Sequence, residues 1–152
     1  MPAGSIVAVL DTSVLAPMPV ADTLLRLAEE PRFYLPRWSN QILDELHRTL
    51  EINFGYSAEQ AARRVRVMRT AFPEAMVTGY AELIPAMKNH PKDAHVLAAA
   101  IRCRAQAIVS DNKRHFPKEA LTGYSITCLT AGEFLEEQYR LDSAGFLSLI
   151  EG

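Results

Sequence analysis

The sequence predicts an α/β fold: a central parallel β-sheet flanked by helices on both faces. Three observations carry this expectation. Ile6-Val7-Ala8-Val9-Leu10 and Ala107-Ile108-Val109 are continuously apolar rather than alternating, the pattern of strands buried on both faces. Each run stops abruptly at polar residues, Asp11-Thr12-Ser13 and Ser110-Asp111-Asn112. Amphipathic helical segments alternate with short strand candidates along the chain, as in a doubly wound sheet.

The elements follow in order. After the opening strand, Ala16-Pro17-Met18-Pro19 reads as a rigid loop, and a helix runs from Val20 to about Glu30, ended by Pro31. Phe33-Tyr34-Leu35 is a short strand candidate closed by Pro36. Ser39 is placed as the N-cap of a helix from Asn40 to about Asn53, with Ile42, Leu43, Leu46 and Leu50 as its apolar stripe and Gly55 as its stop. Ser57, with Gln60 three residues on, opens the next helix, which carries Arg63, Arg64, Arg66 and Arg69 and ends before Phe72-Pro73. Ala75 to Thr78 is a short strand candidate, and a brief helix spans about Ala81 to Met87. The polar loop Lys88-Asn89-His90-Pro91 leads into an alanine-rich helix from Lys92 to Ile101, with Asp93 in its first turn, where the helix dipole favours an anion. After the second apolar strand, 107–110, comes a charged loop, Asp111 to Pro117. A last strand, Ser125 to Leu129, precedes a helix from Thr130 to about Tyr139 and a short apolar helix from Ser143 to Ile150.

A length of 152 residues suits one domain over the whole chain, and 49% hydrophobic residues speak against disorder. The net charge of −2 gives no global signal for tight, nonspecific nucleic-acid binding, although a local basic rim remains compatible. Cys103 and Cys128 fit no metal-ligand spacing, and their apolar contexts predict buried free thiols in a reducing compartment. Neither a signal peptide nor a membrane span is expected, so the predicted location is cytoplasmic.

Open α/β sheets place their ligand sites at the carboxyl ends of the strands. Asp11, Glu45, Asp93 and Asp111, with Asn112 beside the last, are therefore candidates for one site. Carboxylates crowded together repel one another, and a hard divalent ion such as Mg2+ or Mn2+ reverses that penalty. Taken singly, each has an ordinary role open to it: Asp11 as a turn cap, Glu45 as a solvated helix flank, Asp93 as a dipole residue, Asp111 in an Asx turn. His90 and His95 flank Asp93 but complete no zinc set and read as polar surface residues, and Trp38 reads as core or interface.

Four stretches together resemble the PIN domain family, specifically the toxin ribonucleases of bacterial VapBC-type toxin–antitoxin pairs. They are Val9-Leu10-Asp11-Thr12-Ser13-Val14-Leu15, Trp38-Ser39 through Ile42-Leu43-Asp44-Glu45-Leu46, Asp93-Ala94-His95-Val96-Leu97-Ala98-Ala99-Ala100, and Ile108-Val109-Ser110-Asp111-Asn112 with His115-Phe116-Pro117. The resemblance implies a PIN-like fold and divalent-metal-dependent hydrolysis of RNA, with Mg2+ or Mn2+ as cofactor. It carries Asp11, Asp93 and Glu45 over as catalytic metal ligands, with Asp44 as a register alternative to Glu45. The fourth position is open. The family's register puts Asn112 there, whereas charge favours Asp111. Thr12, Ser13 and Ser110 would hold the ligands by hydrogen bonds. Lys113, Arg114 and His115, with Lys118, would contact substrate phosphates. The implied partners are an RNA substrate, a cognate antitoxin protein and a second copy of the chain in a homodimer, with no membrane.

A PIN-like RNA-binding module with weak or no catalysis is the competing reading, motivated by the uncertain fourth acid. A haloacid-dehalogenase-like phosphatase would carry a second aspartate two residues after the first. Ser13 stands there instead.

Overall fold

A computed structural model describes residues 6–151. Part of the expectation about a leader segment concerns residues 1–5, which lie outside that range. No helix among the described residues is long and apolar enough to cross a membrane.

Four parallel strands form one sheet: β1 (Val7–Leu10), β2 (Leu35–Arg37), β3 (Ala107–Val109) and β4 (Thr127–Leu129), in the order β2-β1-β3-β4. The two apolar runs predicted as strands are the two central ones. Val9 pairs with Ile108 and Leu10 with Val109, so their carboxyl ends lie side by side. From β1 the chain crosses to β2 on one side, and from β3 it crosses to β4 on the other. The strand order therefore reverses between β1 and β3, and a crevice opens where the two connections diverge.

The edge strand differs from expectation. Pro36 does not close a strand at 33–35; it lies inside β2, opposite Ala8. Proline lacks an amide hydrogen, so it is tolerated where only one side of a strand pairs, and β2 is an edge. Phe33 and Tyr34 go to the core instead. The predicted strand at 75–78 reduces to a single parallel bridge between Trp38 and Met76.

Helices surround the sheet. α1 (Thr12–Leu15) and α2 (Val20–Ala28) connect β1 to β2. α3 (Asn40–Phe54), α4 (Ala58–Ala71) and α5 (Ala94–Arg102) lie between β2 and β3. α6 (Lys118–Leu121) precedes β4, and α7 (Ala131–Leu141) and α8 (Ser143–Glu151) follow it. α2 packs on β2, and α5 packs on β1 and β3. Short α1 and α6 have no signature of their own in the sequence. The segment at 81–86 is a 3-10 helix rather than an α-helix, with Pro85 inside it.

The caps of α3 and α4 agree with the reading of the sequence. The Ser39 side chain accepts from the Ile42 amide, and Gly55 ends α3 in the left-handed region at φ 72, a conformation cheap only for glycine. Ser57 and Gln60 form a reciprocal capping box, as do Thr130 and Glu133. In α5 every residue from Ala94 to Ala100 is buried, and its alanines let the helix lie close on β1 and β3. Trp38 is fully buried and meets Phe72 edge-on at 5.8 Å. Cys128 is buried and Cys103 half-buried, both free. Burial pushes the Cys128 thiol up to about 12.

Candidate metal centre at the strand ends

Asp11 follows the last residue of β1. Its amide continues the sheet, donating to the Val109 carbonyl at 3.3 Å, while its side chain turns to cap α1. Oδ1 accepts from the Ser13 amide at 3.0 Å and from the Ser13 hydroxyl at 2.6 Å. The residue is 3% exposed. Burial pushes its carboxyl up from 3.8 to about 6; the Ser110 and Ser13 hydroxyls pull the other way, and the charge of Asp93 adds to the rise.

Two serines join the strand ends. The Ser13 hydroxyl accepts from the Asp111 amide at 2.9 Å and lies 3.4 Å from Ser110 Oγ, which accepts from the Asn112 amide at 3.0 Å. The Thr12 hydroxyl donates to the Ile42 carbonyl at 3.3 Å, tying α1 to the first turn of α3. All three predicted hydroxyls thus make contacts that fix the backbone around the acids.

Glu45 lines the cleft from α3, and Asp44 is exposed on the flank of the helix, beside His47 and Arg48 in a separate groove. Asp93 ends a 3-10 turn, Pro91–Asp93, just ahead of α5. Its Oδ2 lies 2.8 Å from His115 Nδ1, and the ring of His115 stacks on that of exposed His90 at 4.0 Å between centroids. Asn89 braces the same turn through a 2.9 Å hydrogen bond from its side-chain amide to the Asp93 carbonyl. Asp11, Glu45 and Asp93 therefore meet in one cleft of about 330 Å³, which also takes in Thr12, Ser13, Lys92, His95 and Asn112.

The fourth position divides between neighbours. Asp111 is exposed, and its Oδ1 accepts from the Ala131 amide at 3.0 Å, at the start of α7. Asn112 is the one that borders the cleft. Of the predicted phosphate contacts, Lys113 is bound to Glu133 at 3.0 Å, His115 is held by Asp93, and Arg114 and Lys118 are exposed without lining the cleft.

His95 departs from expectation. It is not on the surface: the residue is 4% exposed and faces the cleft. Its Nε2 pairs with Glu45 Oε1 at 2.5 Å, and neither ring nitrogen makes a hydrogen bond. One donor atom each from Glu45, Asp93 and His95 lie within 4.8 Å of one another. This set of oxygen and nitrogen donors, with an orphaned imidazole among them, fits a divalent cation. The signal for His95 was present in the sequence: a polar residue inside an otherwise apolar run, 94–101, has no solvated face to occupy. Lys92 was also missed, because its role depends on the turn that precedes α5.

A parallel sheet that changes direction between its central strands, with acids gathered at that point, defines a class of protein. The model of the PIN domain family matches residues 7–114, and the chain belongs to that family. The match runs from β1 to the loop after β3 and includes Asp11, Glu45, Asp93 and Asp111. The chain is also 45% identical over 87 residues to a Mycobacterium tuberculosis protein named "Putative ribonuclease VapC50". The aligned region is 55% of this chain and 52% of that protein, so the chain spans about half the length of the curated relative it matches. No solved structure matches the chain significantly.

Proposed function

We propose that the protein is a divalent-metal-dependent endoribonuclease that hydrolyses RNA phosphodiester bonds, the toxin of a type II toxin–antitoxin pair. The observation that carries this reading is the convergence of Asp11, Glu45 and Asp93 in one cleft at the switch point of the sheet. The PIN family and the ribonuclease named as a relative support it.

In this reading Asp11, Glu45 and Asp93 hold Mg2+ or Mn2+, with Asn112 at the fourth position through its amide oxygen. A cation held there would supply activation of water and compensation of charge on the scissile phosphate. The chain supplies the rest. Ser13 and Ser110 fix the Asp11 carboxylate, and His115 fixes that of Asp93. Lys92, exposed at the cleft, meets a substrate phosphate. Arg114 and Lys118 lie further out and guide the strand electrostatically. A cytoplasmic location, a cognate antitoxin and a homodimer complete the proposal.

The test is cleavage of single-stranded RNA by purified, antitoxin-free protein. Activity should require Mg2+ or Mn2+, disappear with chelator and leave 5′-phosphate ends. RNA binding without metal-dependent cleavage would instead favour a noncatalytic RNA-binding module. The observation on that side is that Asp111 turns to Ala131 and leaves the fourth position to an amide.

A further inference from the structure

We propose that His95 is itself a ligand of the cation, placing an imidazole nitrogen beside the carboxylates of Glu45 and Asp93 and biasing the site toward Mn2+ over Mg2+. The inference rests on the reading of the cleft as a divalent-metal site. The His95 ring is buried at the start of α5, and both of its nitrogens lack hydrogen-bond partners. An imidazole that is merely structural satisfies at least one nitrogen when buried, because an orphaned polar group there is costly. His115 shows the contrast, with Nδ1 engaged by Asp93 at 2.8 Å. His95 Nε2 instead lies against Glu45 Oε1 at 2.5 Å, an ion pair outside hydrogen-bond geometry. A cation entering the cleft would part this close pair to the wider spacing of neighbouring ligands and take both atoms. The Asp93 carboxylate lies within the same 4.8 Å set.

The selectivity follows from ligand chemistry. Mg2+ prefers oxygen donors and gives up water reluctantly, whereas a nitrogen donor adds affinity for first-row transition ions. Replacing one oxygen donor by imidazole therefore separates two ions that an all-carboxylate site would treat more alike.

The experiment loads the protein with Mn2+ and measures pulsed electron paramagnetic resonance, alongside calorimetric titration with Mn2+ and with Mg2+. The wild type should show the nitrogen coupling of a directly bound imidazole, and incorporation of histidine labelled with nitrogen-15 should alter it. That arm needs no variant. His115→Gln should keep the coupling, and His95→Gln should lose it. Mn2+ affinity should fall about tenfold or more in His95→Gln, with a smaller change for Mg2+. Wild-type Mn2+ protein without nitrogen coupling would overturn the proposal. So would an equal loss of Mn2+ and Mg2+ affinity in His95→Gln, which would mean that the ring only positions Glu45. None of these readouts uses RNA. Coupling without RNA cleavage keeps the ligand and sinks the nuclease reading, and cleavage without coupling does the reverse.

Discussion

Asp11 is 3% exposed, and its carboxyl is pushed up to about 6 by burial, so in metal-free protein at neutral pH it is an ionised group in an unfavourable place. The sign of its pH linkage follows. The folded-state value lies above the ordinary 3.8, so the contribution of Asp11 to stability is fully present below pH 3.8 and is lost as pH rises through about 6. The penalty at neutral pH is on the order of 3 kcal/mol. Asp11→Asn should therefore abolish cleavage yet raise the metal-free melting temperature at pH 7.5, and should flatten its dependence between pH 4 and pH 7 relative to wild type. Thermal melts of both proteins across that range check this; a lower melting temperature for the variant at pH 7.5 would contradict it. The fourth position is tested next door. Asp111→Asn should retain near-wild-type cleavage, because that carboxylate serves the Ala131 amide. Asn112→Asp should tighten Mg2+ and Mn2+ binding by adding a charge at the cleft, as read by calorimetry. Charge favoured Asp111 in the sequence. Which of two adjacent side chains turns inward depends on where α7 begins, and α7 lies 20 residues further along the chain.

α1 is four residues long and cannot hold itself together as an isolated helix. It is pinned at both ends. Asp11 caps its start, and Arg64 of α4 reaches across to the Leu15 carbonyl at 2.5 Å and the Ala16 carbonyl at 3.0 Å. One planar guanidinium thus closes two orphan carbonyls at the helix end. Arg64→Ala should cost roughly 1.5–3 kcal/mol in urea denaturation and lower cleavage by loosening the turn that seats Asp11. Arg64→Lys should recover little, since an ammonium lacks the forked geometry; full recovery would make the effect one of charge alone. In the sequence this arginine is one of four on the same helix, with nothing to set it apart. Only the fold shows that it differs from exposed Arg63, Arg66 and Arg69. The long helices were legible because stripe, cap and stop all agree in α3, where Ser39, Ile42, Leu46 and Gly55 mark one unit. Elements such as α1, α6 and the Trp38–Met76 bridge are too short to carry a period, and tertiary contacts make them. Ser39→Ala, which removes that buried cap, should destabilise by about 1 kcal/mol, visible as a lower urea midpoint.

Across the whole molecule, the fold brings together residues from four separate stretches of the chain, which the sequence offered as candidates for one site without showing which side chains turn inward. β1 and β3 were readable because strands buried on both faces must be apolar throughout. β2 was misplaced because Pro36 looked like a stop, and only its edge position makes it harmless. If the cleft takes a divalent ion, Mg2+ or Mn2+ at about 100 times its dissociation constant should add about 2.7 kcal/mol to stability. The gain should be visible as a rise in melting temperature at pH 7.5 and absent in Asp93→Asn; equal rises in both would place the ion elsewhere. The serine pair that joins the strand ends bears also on the chain as it is being made. Ser13 and Ser110 are 97 residues apart. Contacts of such long range close late, after the loop between them has been confined. A chain interrupted before residue 107 already carries Asp11, Glu45 and Asp93 but lacks the strand that seats them. The site therefore waits for β3, and synthesis that stops before that strand leaves its acids without it.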